Sequence, residues 1–171
     1  EGVGKVLEEL SKEFDYIVCD SPAGIEKGAN LALYFADDAF VVTNPEISSV
    51  RDSDRMLGIL SSKSRRAERN EEPIKEYLLL TRYDSDRVKS GEMLGLDDVQ
   101  EILSLELLGI IPESKSVLSA SNAGIPVILN EKSEAGQAYA DVVARYLGEK
   151  LPHRFIDGKQ GFLRRLFGGR K

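Results

Sequence analysis

The apolar positions of the chain follow two rhythms. Short runs rich in β-branched residues occupy Tyr16 to Cys19, Ala39 to Thr43, Tyr77 to Thr81 and Leu105 to Ile111, and each ends in turn or polar chemistry, as strands do. Between them, helical spacing predicts helices over Ile25 to Ala36, Ser49 to Arg69 and Asp97 to Leu103, then a last amphipathic helix from Ser133 to Leu147. Strand-helix-strand alternation at this spacing predicts right-handed crossovers and a three-layer α/β fold, a mostly parallel sheet with helices on both faces. The uninterrupted Leu78, Leu79 and Leu80 suit a strand covered on both sides. Val3, Val6, Leu7 and Leu10 already keep helical spacing and residue 1 is Glu. The chain therefore opens inside a helix and reads as part of a longer polypeptide.

The segment Tyr16 to Gly24 carries the strongest chemical signal. An apolar run ends on Asp20 and is followed at once by Ser21, Pro22, Ala23 and Gly24. In open α/β sheets ligands gather outside the carboxyl ends of the strands, so Asp20 is expected where a phosphate-bound Mg²⁺ or a nucleophilic water would sit. Gly24 would let the backbone approach without a Cβ in the way. The plainer reading is an Asx-turn closing the loop.

Polar residues stand at the other strand ends too: Thr43 to Glu46, Thr81 to Asp86, and Ile111 to Ser114. Each alone is ordinary turn chemistry, but together they outline a rim. The helix after Pro45 is expected to begin with a capping box from Ser49 to Asp52. Val50, Leu57 and Leu60 share one face of it, which turns Arg51, Asp52, Asp54 and Arg55 outward to solvent. The mixed-charge run Lys63 to Glu72 is expected to end that helix in water.

The formal net charge is -6, but residues 156–171 carry a net of +4, leaving -10 on residues 1–155. The acidic body gives no electrostatic case for nucleic-acid binding. On a helical wheel started at Phe162, Leu163, Leu166 and Phe167 fall at about 100°, 40° and 140°, with Arg164 and Arg165 at about 200° and 300°. An apolar face opposite two arginines suits a helix lying in an anionic membrane surface; a helix docked on its own domain or on a protein partner is the alternative. Dimerisation would double such an anchor. The expected organisation is a body over residues 1–150, a linker over 151–158 and an amphipathic helix over 159–171. Cys19, the one cysteine, is expected as a buried thiol in a reducing compartment, with cytoplasm as the default location. No run of 18 apolar residues occurs in the sequence, and no signal peptide is expected at its start. With one histidine, His153, expected at the surface, there is no His/Cys metal cluster, and neither GxGxxG nor GxxxxGK[ST] occurs.

DSPAGIEKGA, TNPEISSVRDSDRMLGIL, KEYLLLTRY, LGIIPES and GFLRRLFGG, taken together, resemble the septum-site-determining branch of the ParA/MinD family of P-loop ATPases. The resemblance covers essentially the whole chain and begins about a hundred residues into a typical member. The first strand, the deviant Walker A loop with its two lysines and switch I, which the family has upstream, are not in this sequence. The resemblance implies a P-loop NTPase-like fold, ATP and Mg²⁺ as cofactors, and Asp20 as the Walker B type carboxylate holding Mg²⁺ through water. It implies that Ser21, Pro22, Ala23 and Gly24 belong to switch II. Arg82, Pro112 and Glu113 become nucleotide-binding positions, with Arg82 and the backbone around Pro112 flanking adenine. Arg51, Asp52 and Asp54 become a surface for a MinC-like division inhibitor and a MinE-like activator. Phe162, Leu163, Arg164, Arg165, Leu166 and Phe167 become the membrane contact.

The implied cycle is an ATP-dependent homodimer on the inner face of an anionic membrane, released from it by stimulated hydrolysis, with no nucleic acid involved. Phosphoryl transfer depends on backbone amides and a lysine around the phosphates, so this chain alone is expected to be inactive as an ATPase. Two other classes stay open: a nucleotide-independent membrane-tethered binding module, and a ParA-like or flagellar-number-regulating relative. A phosphoacceptor receiver, with Asp20 as acceptor, is weaker because Arg82 stands where a lysine would be needed.

Overall fold

The structure, a computed structural model, describes residues 2–21 and 33–156. Pro22, Ala23 and Gly24, most of the helix expected over Ile25 to Ala36, and the tail with Phe162, Leu163, Arg164, Arg165, Leu166 and Phe167 lie outside the described residues. The described elements begin with helix α1 (Gly2–Leu10), strand β1 (Asp38–Thr43), helices α2 (Ile47–Lys63) and α3 (Arg65–Glu68), and strand β2 (Lys75–Tyr83). Helices α4 (Ser85–Lys89) and α5 (Leu96–Leu103) follow, then strand β3 (Glu106–Pro112), helix α6 (Lys115–Asn122), a 3₁₀ turn (Val127–Leu129) and helix α7 (Glu134–Tyr146). By contact density the chain divides into two compact units, Glu1–Phe40 with Arg51–Glu76, and Val41–Val50 with Tyr77–Lys171.

The strands align in the order β1-β2-β3. β2 and β3 run parallel, with Tyr77 opposite Glu106, Leu80 opposite Ile110 and Tyr83 opposite Pro112, and register shifts follow Leu78 and Leu80. Three of the four expected strands are therefore present, each within two residues of its expected ends.

In the second unit, Leu78, Leu79 and Leu80 are all buried. Successive strand residues point to opposite faces, so β2 is covered on both, as its uninterrupted run requires. On one face Leu79, Leu108 and Ile111 pack against Ala135, Ala138 and Val142 of α7, with Tyr77, Val117, Val127, Tyr139, Tyr146 and Phe155 around them. Positions 135, 138 and 142 keep the three- and four-residue steps of one helix face. Small residues let α7 lie close to the 3₁₀ turn and to the sheet. A Cβ on Gly136 would stand 2.5 Å from the Asn130 carbonyl oxygen and 2.6 Å from that of Val127. One on Gly109 would collide with Val142. α7 starts where expected because the Ser133 hydroxyl accepts from the Gly136 amide at 3.3 Å, and Glu134 and Arg145 match the helix dipole at its two ends.

In the first unit, Ala39, Leu60 and Ile74 form a small core with Leu33, Ala36 and Leu57 against it. The Arg66 guanidinium donates to Asp37 at 2.6 Å, and the Tyr34 hydroxyl donates to Glu68 at 2.6 Å. The run Lys63 to Glu72 is thus more structured than a solvated helix end. Ser64 is buried and its hydroxyl caps α3 by accepting from the Ala67 amide. None of the residues of α1 is buried.

Two local expectations are corrected. α2 begins at Ile47, with the Val50 amide bonded to the Glu46 carbonyl at 2.9 Å, so Ser49 lies inside the first turn rather than at the N-cap position. Residues 16–20 form no strand, since none of the three described strands pairs with them. Tyr16 and Val18 are exposed, and Cys19 is an exposed thiol rather than a buried one. An apolar β-branched run has the preference for a strand, but a strand exists only where a neighbour completes its ladder.

Candidate functional site

The carboxyl ends of the strands in the second unit carry a connected polar rim. β1 ends on buried Thr43, followed by Asn44 and buried Pro45. The Thr81 hydroxyl reaches across to this turn, donating to Asn44 Oδ1 at 2.9 Å and lying 3.3 Å from the Thr43 carbonyl. The Leu94 amide donates to the Pro45 carbonyl at 3.1 Å. These bonds fix the loop after β1 against β2.

Arg82 follows directly, with φ at 56°. A left-handed backbone is uncommon for a residue other than glycine and carries strain of order 1 kcal/mol. It interrupts the ladder at the second register shift of β2. The Arg82 Nε donates to Glu113 at 3.0 Å, and the Glu113 amide donates to the Tyr83 carbonyl at 2.9 Å. Both side chains are about half exposed or more, so the ion pair contributes little stability. It holds a flat guanidinium at the mouth of the rim, beside Pro112. Asp84 then caps α4, accepting from the Asp86 and Arg87 amides at 2.9 and 3.2 Å.

Arg82 and Glu113 are thus brought together, with Pro112 next to Glu113 in the chain, and Asn44 and Thr81 are paired at the neighbouring strand ends. The alternation of the sequence found the rim because polar residues followed each strand; the backbone reversal at Arg82 had no signal in a residue type that gives no hint of it. Asp20 is an exposed residue of the first unit, outside any strand. Ser21 beside it is half-buried. Arg51, Asp52 and Asp54 are exposed on α2, with Arg55 bonded to Asp52 at 3.3 Å, while Val50 and Leu60 are buried on the opposite side.

The residues present fit part of a nucleotide. A planar guanidinium, an amide side chain and exposed strand-end backbone suit the stacking and edge hydrogen bonds of a base. The phosphate end is different. Among the described residues no group of three or more His, Cys, Asp or Glu could hold a metal, and the sequence has no glycine-rich cradle ending in a lysine. The described residues do not complete a phosphate and Mg²⁺ site.

No family model matches the chain. It is 66% identical over 171 residues to the septum site-determining protein MinD of Escherichia coli K12, an alignment that takes in 99% of this chain and 63% of that protein. The chain belongs to the MinD family. Among solved structures it resembles the MinC:MinD cell division protein complex of Aquifex aeolicus, with TM-score 0.77 and 41% identity over 88% of this chain and 60% of that one. It also resembles the septum site-determining MinD of Pyrococcus horikoshii in complex with Mg-ADP, with TM-score 0.65 and 26% identity over 86% of this chain and 58% of that one. This MinD-family chain therefore spans less than two thirds of the length of its relatives, and its parallel sheet with helices is that of a P-loop NTPase-like fold.

Proposed function

We propose that the protein in its full length is an ATP-dependent, membrane-cycling regulator of bacterial division-site placement. The observation that carries this reading is the 66% identity to the E. coli septum site-determining protein across 99% of this chain. In this reading Arg82, Pro112 and Glu113 receive the adenine, and Asn44 and Thr81 hold the loop after β1 in register with it. Asp20 holds Mg²⁺ through water, and Ser21 to Gly24 respond as switch II. When bound, Mg-ATP supplies the phosphoanhydride whose cleavage resets the cycle. The relative solved with MinC supports a division inhibitor of that kind as partner, for which Arg51, Asp52 and Asp54 of α2 are the proposed surface, shared with a MinE-like activator. Residues 162–167 contact anionic lipid, and the protein alternates between the cytoplasm and the inner face of the membrane as an ATP-dependent homodimer. A nucleotide-independent tethered module is the second reading.

The 171-residue chain alone is proposed to be catalytically silent, because Asp20 has no phosphate-binding amides or lysine to act with. Phosphate release from Mg-ATP by the purified chain should stay at background. Mg²⁺-dependent turnover above background would refute this.

A further inference from the structure

Past the end of α7 the sequence reads as a loose connection, with Gly148, Pro152 and Gly158 in it, yet its middle is firmly held. Asp141, buried on α7, accepts from Arg154 twice, at 2.8 Å from Nε and 2.6 Å from Nη2. Arg145, one turn along, donates to the carbonyls of Leu151 and Pro152 at 3.0 and 2.8 Å and to that of Leu108 in β3 at 3.0 Å. Its guanidinium lies 3.8 Å from Asp141. Phe155 packs on the core beneath, with the Arg154 guanidinium 5.6 Å over its ring. A charge-assisted fork, three carbonyl bonds and an aromatic plug are more than a passive connection needs.

We infer that Asp141, Arg145 and Arg154 form a clasp that fixes where the tail leaves the body, shortening its tether and so raising the avidity of two tails for one membrane. This rests on the membrane reading above. With the clasp closed, only residues 157–161 separate the anchored Ile156 from Phe162, a reach of at most roughly 17 Å. Without it the free chain runs from 147 to 161, with a reach of roughly 50 Å. Effective concentration falls as about the -3/2 power of tether length, so tripling the tether lowers paired-tail avidity about fivefold while leaving the affinity of one tail unchanged.

The test uses the full-length protein and vesicles of phosphatidylglycerol and phosphatidylcholine, in Mg-ATP and in Mg-ADP. Arg154→Ala with Phe155→Ala frees residues 153–156 and should weaken pelleting in Mg-ATP about twofold. Inserting ten Gly/Ser residues after Ile156 leaves the clasp intact and should weaken it about fivefold. In Mg-ADP, with single tails, all three proteins should bind alike. An insertion that pellets as the parent does in Mg-ATP overturns the inference, as does an equal loss in both nucleotide states. A protein cut after Ile156 that still pellets would sink the membrane reading itself, and the clasp inference with it.

Discussion

The rim and the clasp are both polar constructions on the same sheet, but they treat their charges in opposite ways. At the rim, Arg82 and Glu113 meet in the open on a strained backbone, each largely in contact with water. In the clasp, Asp141 and Arg145 are about nine-tenths buried and nearly every donor has an acceptor. Exposed groups on a strained backbone keep their hydrogen-bonding capacity open to solvent, whereas the buried groups of the clasp spend theirs on one another and on the chain itself. Polarity in this protein is therefore left open at the rim, where we propose a nucleotide base binds, and closed on itself in the clasp, and burial distinguishes them.

The largest expected effect comes from breaking the clasp at its centre. Asp141→Ala leaves Arg145 buried without its counter-charge and Arg154 without its fork, and should cost about 3 kcal/mol of stability, read as a lower urea midpoint. A loss below about 1 kcal/mol would place the pair among ordinary surface ion pairs. At the rim the opposite sign is expected. Arg82→Gly relieves a φ of 56° and gives up only an exposed ion pair, so stability should hold or rise by up to about 1 kcal/mol, while nucleotide affinity of the full-length protein falls. Destabilisation by this change would show that Arg82 serves the fold.

The smallest effect sharpens the clasp through pH. His153 Nδ1 is buried with no hydrogen-bond partner among the described residues. Burial, then the neighbouring Arg145, push its pKa below the ordinary 6.5, against the pull of Asp141. The unfolded chain then takes up a proton near 6.5 that the folded chain takes up only at lower pH, so stability falls as pH drops below about 6.5 and levels off under the folded value. His153→Gln should flatten this slope between pH 7 and 5. An unchanged slope would assign it to other groups.

Much of this could be read in the chain beforehand. Leu78 to Leu80 announced a central strand, and Ser133 announced the start of α7, because in both the local preference and the burial agree. The polar residues after each strand outlined the rim. The Tyr16 run misled because periodicity reports a preference for burial, not the presence of a neighbouring strand. Cys19 was misplaced with it. Ser49 gave a false start because the loop held by Asn44 and Pro45 lets the helix begin at Ile47. The clasp was legible only as Asp141 and Arg145, one turn apart on an otherwise apolar helix face; their partner Arg154 lies beyond Pro152, in a segment whose composition says linker. His153, expected at the surface, is half-buried for the same reason.

We propose that residues 162–167 bind anionic membrane and that the 171-residue chain alone does not respond to nucleotide. Co-sedimentation with anionic liposomes, with and without Mg-ATP, beside the chain cut after Ile156, tests it most directly. Pelleting should need the residues after Ile156 and be indifferent to Mg-ATP; pelleting that survives the cut, or that depends on Mg-ATP, would contradict this.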